Sequence, residues 1–195
     1  MSTNTIVNFT RVATGIDTTP YLEELDAMPQ LWLADTSRQR KVRCQRHTRN
    51  IFLRAAAKPL PPGASNANDV HECRIIESSA RHFPQTLNFC SEFAASEKAS
   101  LGRATIVALR QRSRVFPHVD EGEYYRIRDR YHLVLQSPSG SQLTAGDEKV
   151  VMSEGELWVF NNKLRHSASN PGEEPRVHLI FDLLPALGRG YYVVP

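Results

Sequence analysis

The chain has 195 residues, is 41% hydrophobic and 23% charged, and carries a formal net charge of +3. Those values suit one soluble domain with a sizeable core, 1–195, and the charge is too small to imply a nucleic-acid partner. No run of about 18 apolar residues occurs, so no transmembrane helix is expected, and three irregularly spaced cysteines (Cys44, Cys73 and Cys90) argue against a disulfide framework or a structural zinc cluster.

The N-terminus, MSTNTIVNFT, lacks a basic head followed by an apolar stretch. No signal peptide is expected, and the expected location is cytoplasmic. Thr19-Pro20 reads as a helix cap and a first-turn proline, with Leu22, Leu25 and Met28 on one helical face and Pro29 ending or kinking the helix. From Thr36 to Asn68 there is no acidic residue, while Arg38, Arg40, Lys41, Arg43, Arg46, Arg49, Arg54 and Lys58 are basic. That stretch is either a solvated basic surface or a face for an anionic partner or acidic substrate, with Arg49 among the candidate contacts. Val42 to Arg54 reads as extended. Residues 58–69, KPLPPGASNAND, read as a loop. A second helix is expected from Pro84, with Phe83, Leu87, Cys90 and Ala94 forming its apolar stripe.

From residue 103 the pattern changes to short β-branched and aromatic segments at even spacing: 103–109, 114–120, 124–136, 141–152, 156–160, 165–169 and 176–184. This points to a mainly β fold with flanking N-terminal helices, of the sandwich, barrel or jelly-roll kind. Two of these strands have sharply different faces. Arg128, Arg130, His132 and Val134 alternate with Asp129, Tyr131, Leu133 and Leu135; Arg176, His178, Ile180 and Asp182 alternate with Val177, Leu179, Phe181 and Leu183. A face of arginine and histidine suits a pocket that grips carboxylates, and the apolar face is expected under the N-terminal helices. The tail GRGYYVVP is expected to pack on the domain or meet a partner.

His118 and Asp120, in FPHVDEGEYY, stand two residues apart, so in an extended segment both point the same way. A third metal ligand has to come from elsewhere, and His166 is the best candidate among the remaining histidines because it follows the strand-like ELWVFNN. Two imidazoles and one carboxylate form the facial triad of non-haem Fe(II) oxygenases, which leaves three positions open for a bidentate keto acid and dioxygen. Arg176, ten residues after His166, would supply the guanidinium for the far carboxylate of that acid. Trp158 and Phe160 are expected to pack near the metal, Asn161 and Asn162 to form a turn, and Asp129 and Asp182 to orient neighbouring His or Arg groups.

RYHLVLQSPSG and EGELWVFNNKLRHSASNPGEEPRVHLIFDLLP resemble the aspartyl/asparaginyl β-hydroxylase family of Fe(II)/2-oxoglutarate oxygenases, over about residues 103–185. The resemblance implies a double-stranded β-helix (jelly roll, cupin-like) as the catalytic core, 103–185. Residues 1–102 would support it, and 186–195 would form a tail. It implies Fe(II) on His118 and His166, 2-oxoglutarate held by Arg176 with His132, and cosubstrate or substrate carboxylates near Arg128 and Arg130. The animal members lack the carboxylate ligand; the family's bacterial members that hydroxylate free amino acids such as proline have one, as Asp120 provides here. EGEYY adds length after the first metal histidine and is a candidate for substrate control, with Tyr124 and Tyr125 as a lid or as hairpin packing. His178 shares the face of Arg176 and is a further candidate for the pocket.

The expected function is therefore hydroxylation of an unactivated carbon of an amino acid, an amino-acid-derived metabolite or a peptide side chain, with Fe(II), 2-oxoglutarate and O2. The expected partner is a small-molecule or peptide substrate bearing a carboxylate, with no nucleic acid and no membrane. Two other readings stand beside it: a non-oxidative metal-binding cupin-like isomerase or small-molecule binder, and an anionic-polymer binding module using residues 38–58.

Overall fold

The computed structural model describes residues 8–64, 66–186 and 190–192. In chain order its strands are β1 (Phe9–Ala13), β2 (Thr48–Ala56), β3 (Cys73–Ile75), β4 (Ser100–Leu109), β5 (Ser113–His118) and β6 (Asp129–Gln136), then β7 (Gln142–Ala145), β8 (Glu148–Val150), β9 (Leu157–Phe160), β10 (His166–Asn170) and β11 (Arg176–Leu184). The helices are α1 (Thr19–Ala27), α2 (Ser37–Lys41), α3 (Glu77–Ala80), α4 (Pro84–Ser96) and α5 (Glu123–Arg126). The strands form a seven-stranded sheet, β1-β9-β6-β11-β4-β2-β3, and a four-stranded sheet, β5-β10-β7-β8. The strand pairings are antiparallel throughout. This is the jelly roll expected of a double-stranded β-helix.

Alternation along the strands separates two cores. The outward face of the large sheet carries Ile51, Leu53, Ile106, Tyr131, Leu133, Leu179, Phe181 and Leu183. It is covered by Tyr21 and Leu25 of α1 and by Cys90 and Ala94 of α4, with Phe83 just ahead of α4. Between the sheets lie Leu109, Val134 and Phe160 from the large sheet against Leu143, Ala145 and Ala168 from the small one. The helices lock to each other through Glu24 of α1, whose carboxylate accepts the backbone N–H groups of Gln85 and Thr86 at 2.6 and 3.1 Å and the Thr86 hydroxyl at 2.6 Å. Those amides open α4 and would otherwise lack partners.

Several local expectations change. Thr19 is the first helical residue and not the cap; the Asp17 carboxylate takes its N–H at 3.0 Å. Pro29 ends α1, but a 3-10 helix, Pro29–Leu33, follows at once. The segment expected to be extended from Val42 instead turns through a 3-10 helix at Arg43–Gln45. The Thr48 hydroxyl closes that turn by donating to the Gln45 carbonyl at 2.8 Å, and β2 starts only there. Residues 124–126 are helical and not part of a strand, because the Tyr124 ring is gripped between Arg103 and Arg128, 3.9 and 4.1 Å from its centroid. Gly102 makes this possible: a Cβ there would collide with the Tyr124 hydroxyl, which accepts the Arg103 N–H at 2.7 Å. The region 141–152 is the hairpin β7–β8. β1, an edge strand beside β9, and β3 have no counterpart among the expected strands. Of the tail, Tyr191 and Tyr192 donate their backbone N–H groups to Asp129; 187–189 and 193–195 lie outside the described residues.

Candidate metal centre

His118 ends β5 and His166 begins β10, and the two are directly paired across the ladder. Their rings stand 4.3 Å apart. Each Nδ1 meets the carbonyl two residues before it, Phe116 O at 2.8 Å and Leu164 O at 2.9 Å. A carbonyl can only accept, so both Nδ1 atoms carry a proton, and in the neutral rings both Nε2 atoms present a lone pair. Asp120, just past β5, lies 3.9 Å from His118 Nε2 and 3.8 Å from His166 Nε2. One ligand atom from each of the three residues falls within 4.8 Å of the others, a set able to hold one metal ion. Burial lowers the His166 pKa despite the pull of Asp120, so the ring stays neutral and available as a ligand.

Arg130 is clamped between two carboxylates. It donates from Nη1 to Asp120 at 2.5 Å and binds Asp182 with Nε and Nη2 at 2.8 and 3.0 Å. The cross-strand pairing of Arg130 with Asp182 places them opposite each other on β6 and β11. Burial works against the guanidinium, but Asp120 and Asp182 outweigh it and raise its pKa well above normal. Burial would raise the Asp120 pKa too; Arg130, then His166 and His118, and Arg38 reverse that, so the carboxylate stays ionised. Arg130, expected at the cosubstrate, lines the cleft, and each of its three guanidinium nitrogens already meets a carboxylate oxygen of Asp120 or Asp182.

Arg176, His132 and His178 occupy the other end of the same inner face. Arg176 is buried with no carboxylate at ion-pair distance among the described residues, and its Nη2 has no hydrogen-bond partner. Burial alone pulls its pKa down to about 10. His132 and His178 meet Nδ1 to Nδ1 at 3.2 Å, and the Nε2 atoms of both are buried and unpartnered. Burial, then Arg176, holds both pKa values well below the ordinary imidazole value. Phe160 stands between the two groups, with its ring 5.2 Å from His132 and 5.1 Å from His166. Trp158 turns to Glu156 and Arg11 instead of the metal site.

A cleft of about 860 Å³ opens from His118 and Asp120 across β2 and β4. Tyr125 and Glu121 of EGEYY line it. Tyr124 does not: it is fully buried beneath Arg103 and Arg128. Arg128 does not line the cleft either: its Nη1 and Nη2 meet His71 and the Tyr124 carbonyl, and its Nε is buried without a partner. Arg49 points away from the metal. It shares the outward face with Ile51 and Leu53, at the rim near Leu22 and Trp32. The basic stretch contributes Arg38, Arg54 and Lys58 to the cleft in its place, and Arg38 has no ion-pair partner among the described residues. Asp182 orients an arginine, as expected, whereas Asp129 holds the tail. Sequence reasoning passes over Gln45 and Asn50, both buried and both lining the cleft.

Comparisons with known proteins fit this geometry. The sequence profile described as Aspartyl/Asparaginyl beta-hydroxylase matches residues 38–185. An L-proline cis-4-hydroxylase of Rhizobium meliloti (strain 1021) is 36% identical over 77 residues, which is 40% of this chain and 28% of that protein. The matched stretch is thus less than a third of that relative's length. Two solved structures share the fold. One is an oxidoreductase of the 2OG-Fe(II) oxygenase family from Burkholderia pseudomallei, with a TM-score of 0.54 at 11% identity, covering 95% of this chain and 98% of that one. The other is the viral collagen prolyl hydroxylase of Paramecium Bursaria Chlorella virus-1, with a TM-score of 0.56 at 8% identity, covering 92% and 97%. Among the described residues, no helix is long and apolar enough to cross a membrane.

Proposed function

The chain belongs to the aspartyl/asparaginyl β-hydroxylase family, and from that premise we propose that it hydroxylates an unactivated carbon of an amino acid or amino-acid-like substrate, using Fe(II), 2-oxoglutarate and O2. The observation that carries this reading is the convergence of His118, Asp120 and His166 within 4.8 Å, with both histidines presenting Nε2. Two neutral imidazoles and one carboxylate suit Fe(II) and leave half of an octahedral shell free. The bound metal and cosubstrate would supply the oxidising chemistry, and the chain supplies position and charge.

In this reading Arg176 grips the distal carboxylate of 2-oxoglutarate. A buried guanidinium with no carboxylate beside it is costly, and a dicarboxylate resolves that cost. His132 completes the cosubstrate site with one of the unpartnered imidazole nitrogens, and His178 holds the ring of His132 in place through the Nδ1 contact. Arg130 holds Asp120 ionised and aimed at the metal, with Asp182 fixing the other side of the guanidinium. Phe160 packs an apolar ring between His132 and His166, which would help keep water from the cosubstrate. The substrate enters the cleft over β2 and β4, where Arg38 offers a positive charge to a carboxylate. The similarity to a proline hydroxylase over 77 residues makes free L-amino acids the first substrates to try.

Anaerobic addition of Fe(II) and 2-oxoglutarate should produce the weak visible charge-transfer band of the chelate. Admission of oxygen with an amino-acid substrate should then release succinate. A folded protein that binds Fe(II) but gives neither band nor succinate would leave the non-oxidative metal-binding reading in its place.

A further inference from the structure

The wall of the cleft beside His118 carries polar groups whose orientations are fixed by their hydrogen bonds. Because His118 Nδ1 donates to Phe116 O, Nε2 of the neutral, metal-binding imidazole accepts. The Gln45 atom 3.4 Å from it is therefore the amide nitrogen, which donates. The Thr48 hydroxyl sends its hydrogen to the backbone carbonyl of Gln45 at 2.8 Å, so its oxygen accepts from Asn50 Nδ2 at 3.2 Å. That turns Asn50 Oδ1 away from Thr48, and it has no partner although the residue is only 1% exposed. Gln45 and Asn50 both line the cleft.

A metal ion on His118 Nε2 takes the lone pair that Gln45 uses. The Gln45 N–H then needs another acceptor, because a buried donor left unpaired is costly. We propose that Gln45 and Asn50 are the specificity-determining pair of the substrate cleft: metal binding releases the Gln45 amide to donate to a substrate oxygen, while Asn50 Oδ1 accepts from a substrate N–H. The ligand class is a molecule that shows an acceptor oxygen and an N–H a few ångströms apart, as the carboxylate and ammonium of an α-amino acid do. Arg38, on the same cleft, adds charge for the carboxylate. This rests on the hydroxylase reading for the identity of the ligand, but the exchange at His118 does not depend on it.

Two measurements test the pair. Zinc alone is titrated into metal-free wild type and Gln45→Leu. The variant binds zinc as tightly as wild type or a few-fold more tightly, since no donor competes for Nε2. In wild type the Gln45 side-chain amide signal in NMR shifts when zinc is added. A tenfold loss of zinc affinity in the variant, or an amide signal indifferent to zinc, overturns the exchange; the wild-type signal decides it even if the variant fails to fold. Turnover is then followed with L-proline, L-aspartate and L-asparagine. Gln45→Leu and Asn50→Leu raise KM for the accepted amino acid by roughly tenfold to a hundredfold and leave KM for 2-oxoglutarate within about twofold. An unchanged substrate KM, or a loss confined to 2-oxoglutarate, overturns the substrate role. A wild type that takes up zinc as described but turns over none of the three amino acids rejects the amino-acid ligand class and leaves the Gln45 exchange standing.

Discussion

Two buried arginines on adjacent strands have opposite surroundings. Arg130 on β6 binds two carboxylates with all of its nitrogens, whereas Arg176 on β11 faces none among the described residues and leaves Nη2 unpartnered. Their pKa values move apart accordingly: burial is outweighed by Asp120 and Asp182 at Arg130, while at Arg176 it acts alone and brings the group down to about 10. A paired arginine stabilises its own site. An unpaired one, at several kcal/mol of desolvation, is a site suited to an anionic ligand. The same sheet face thus holds an internal clamp beside His118, Asp120 and His166 and an unpaired guanidinium at its other end.

The comparison can be broken most forcefully at the clamp. Arg130→Met strands Asp120 and Asp182 as buried unpaired charges and should lower the stability of the metal-free protein by about 3–5 kcal/mol, read as a fall in the urea midpoint. If the midpoint stays put, the clamp is not structural. The histidine pair beside Arg176 gives the next effect. His132 and His178 stay neutral in the folded state but take up protons near pH 6.5 when unfolded. Below that pH the unfolded chain binds more protons, so stability falls as pH falls. The slope should be about 1.4 kcal/mol per pH unit for each histidine. Denaturation curves at pH 7.0 and 5.5 check this, and equal midpoints would mean that the rings are protonated in place.

Lys163 offers a smaller case near the same clamp. Burial lowers its pKa to about 8 although Asp129 and Asp182 pull the other way. Between that value and its ordinary one the unfolded chain holds the extra proton, so stability rises with pH there. Wild type should gain about 1–3 kcal/mol on Lys163→Met between pH 7 and 10; parallel curves would show that the charge is fully compensated by its acceptors.

Much of this arrangement is legible in the sequence because it depends on alternation and spacing. The parity of 128–135 and 176–183 separates the apolar face under α1 and α4 from the His/Arg face, and H-x-D with His166 marks the metal end. What the sequence hides are choices between partners. Nothing in R-x-R-x-H says that Arg128 spends itself on His71, Arg130 on Asp120 and Asp182; those pairs join residues 57, 10 and 52 positions apart. Arg49 is a matter of parity. Ile51 and Leu53, two and four residues on, already mark its face as the covered one. Tyr124 reads as part of a strand because its helical turn is imposed by two arginines and by the space above Gly102. Gln45 and Asn50 are easily passed over because a neutral amide carries no signal until its neighbours are in place.

The role of Arg176 is tested most directly by titrating 2-oxoglutarate, without oxygen, into the Fe(II)-loaded wild type and Arg176→Met, with the urea midpoint of each metal-free protein measured alongside. Removing a two-pronged, charged grip from a buried site should weaken 2-oxoglutarate binding about a hundredfold or more, while the metal-free variant stays as stable as wild type or becomes more so. Unchanged 2-oxoglutarate affinity, or a variant that loses several kcal/mol of stability, would contradict the account of Arg176 as a grip reserved for the cosubstrate.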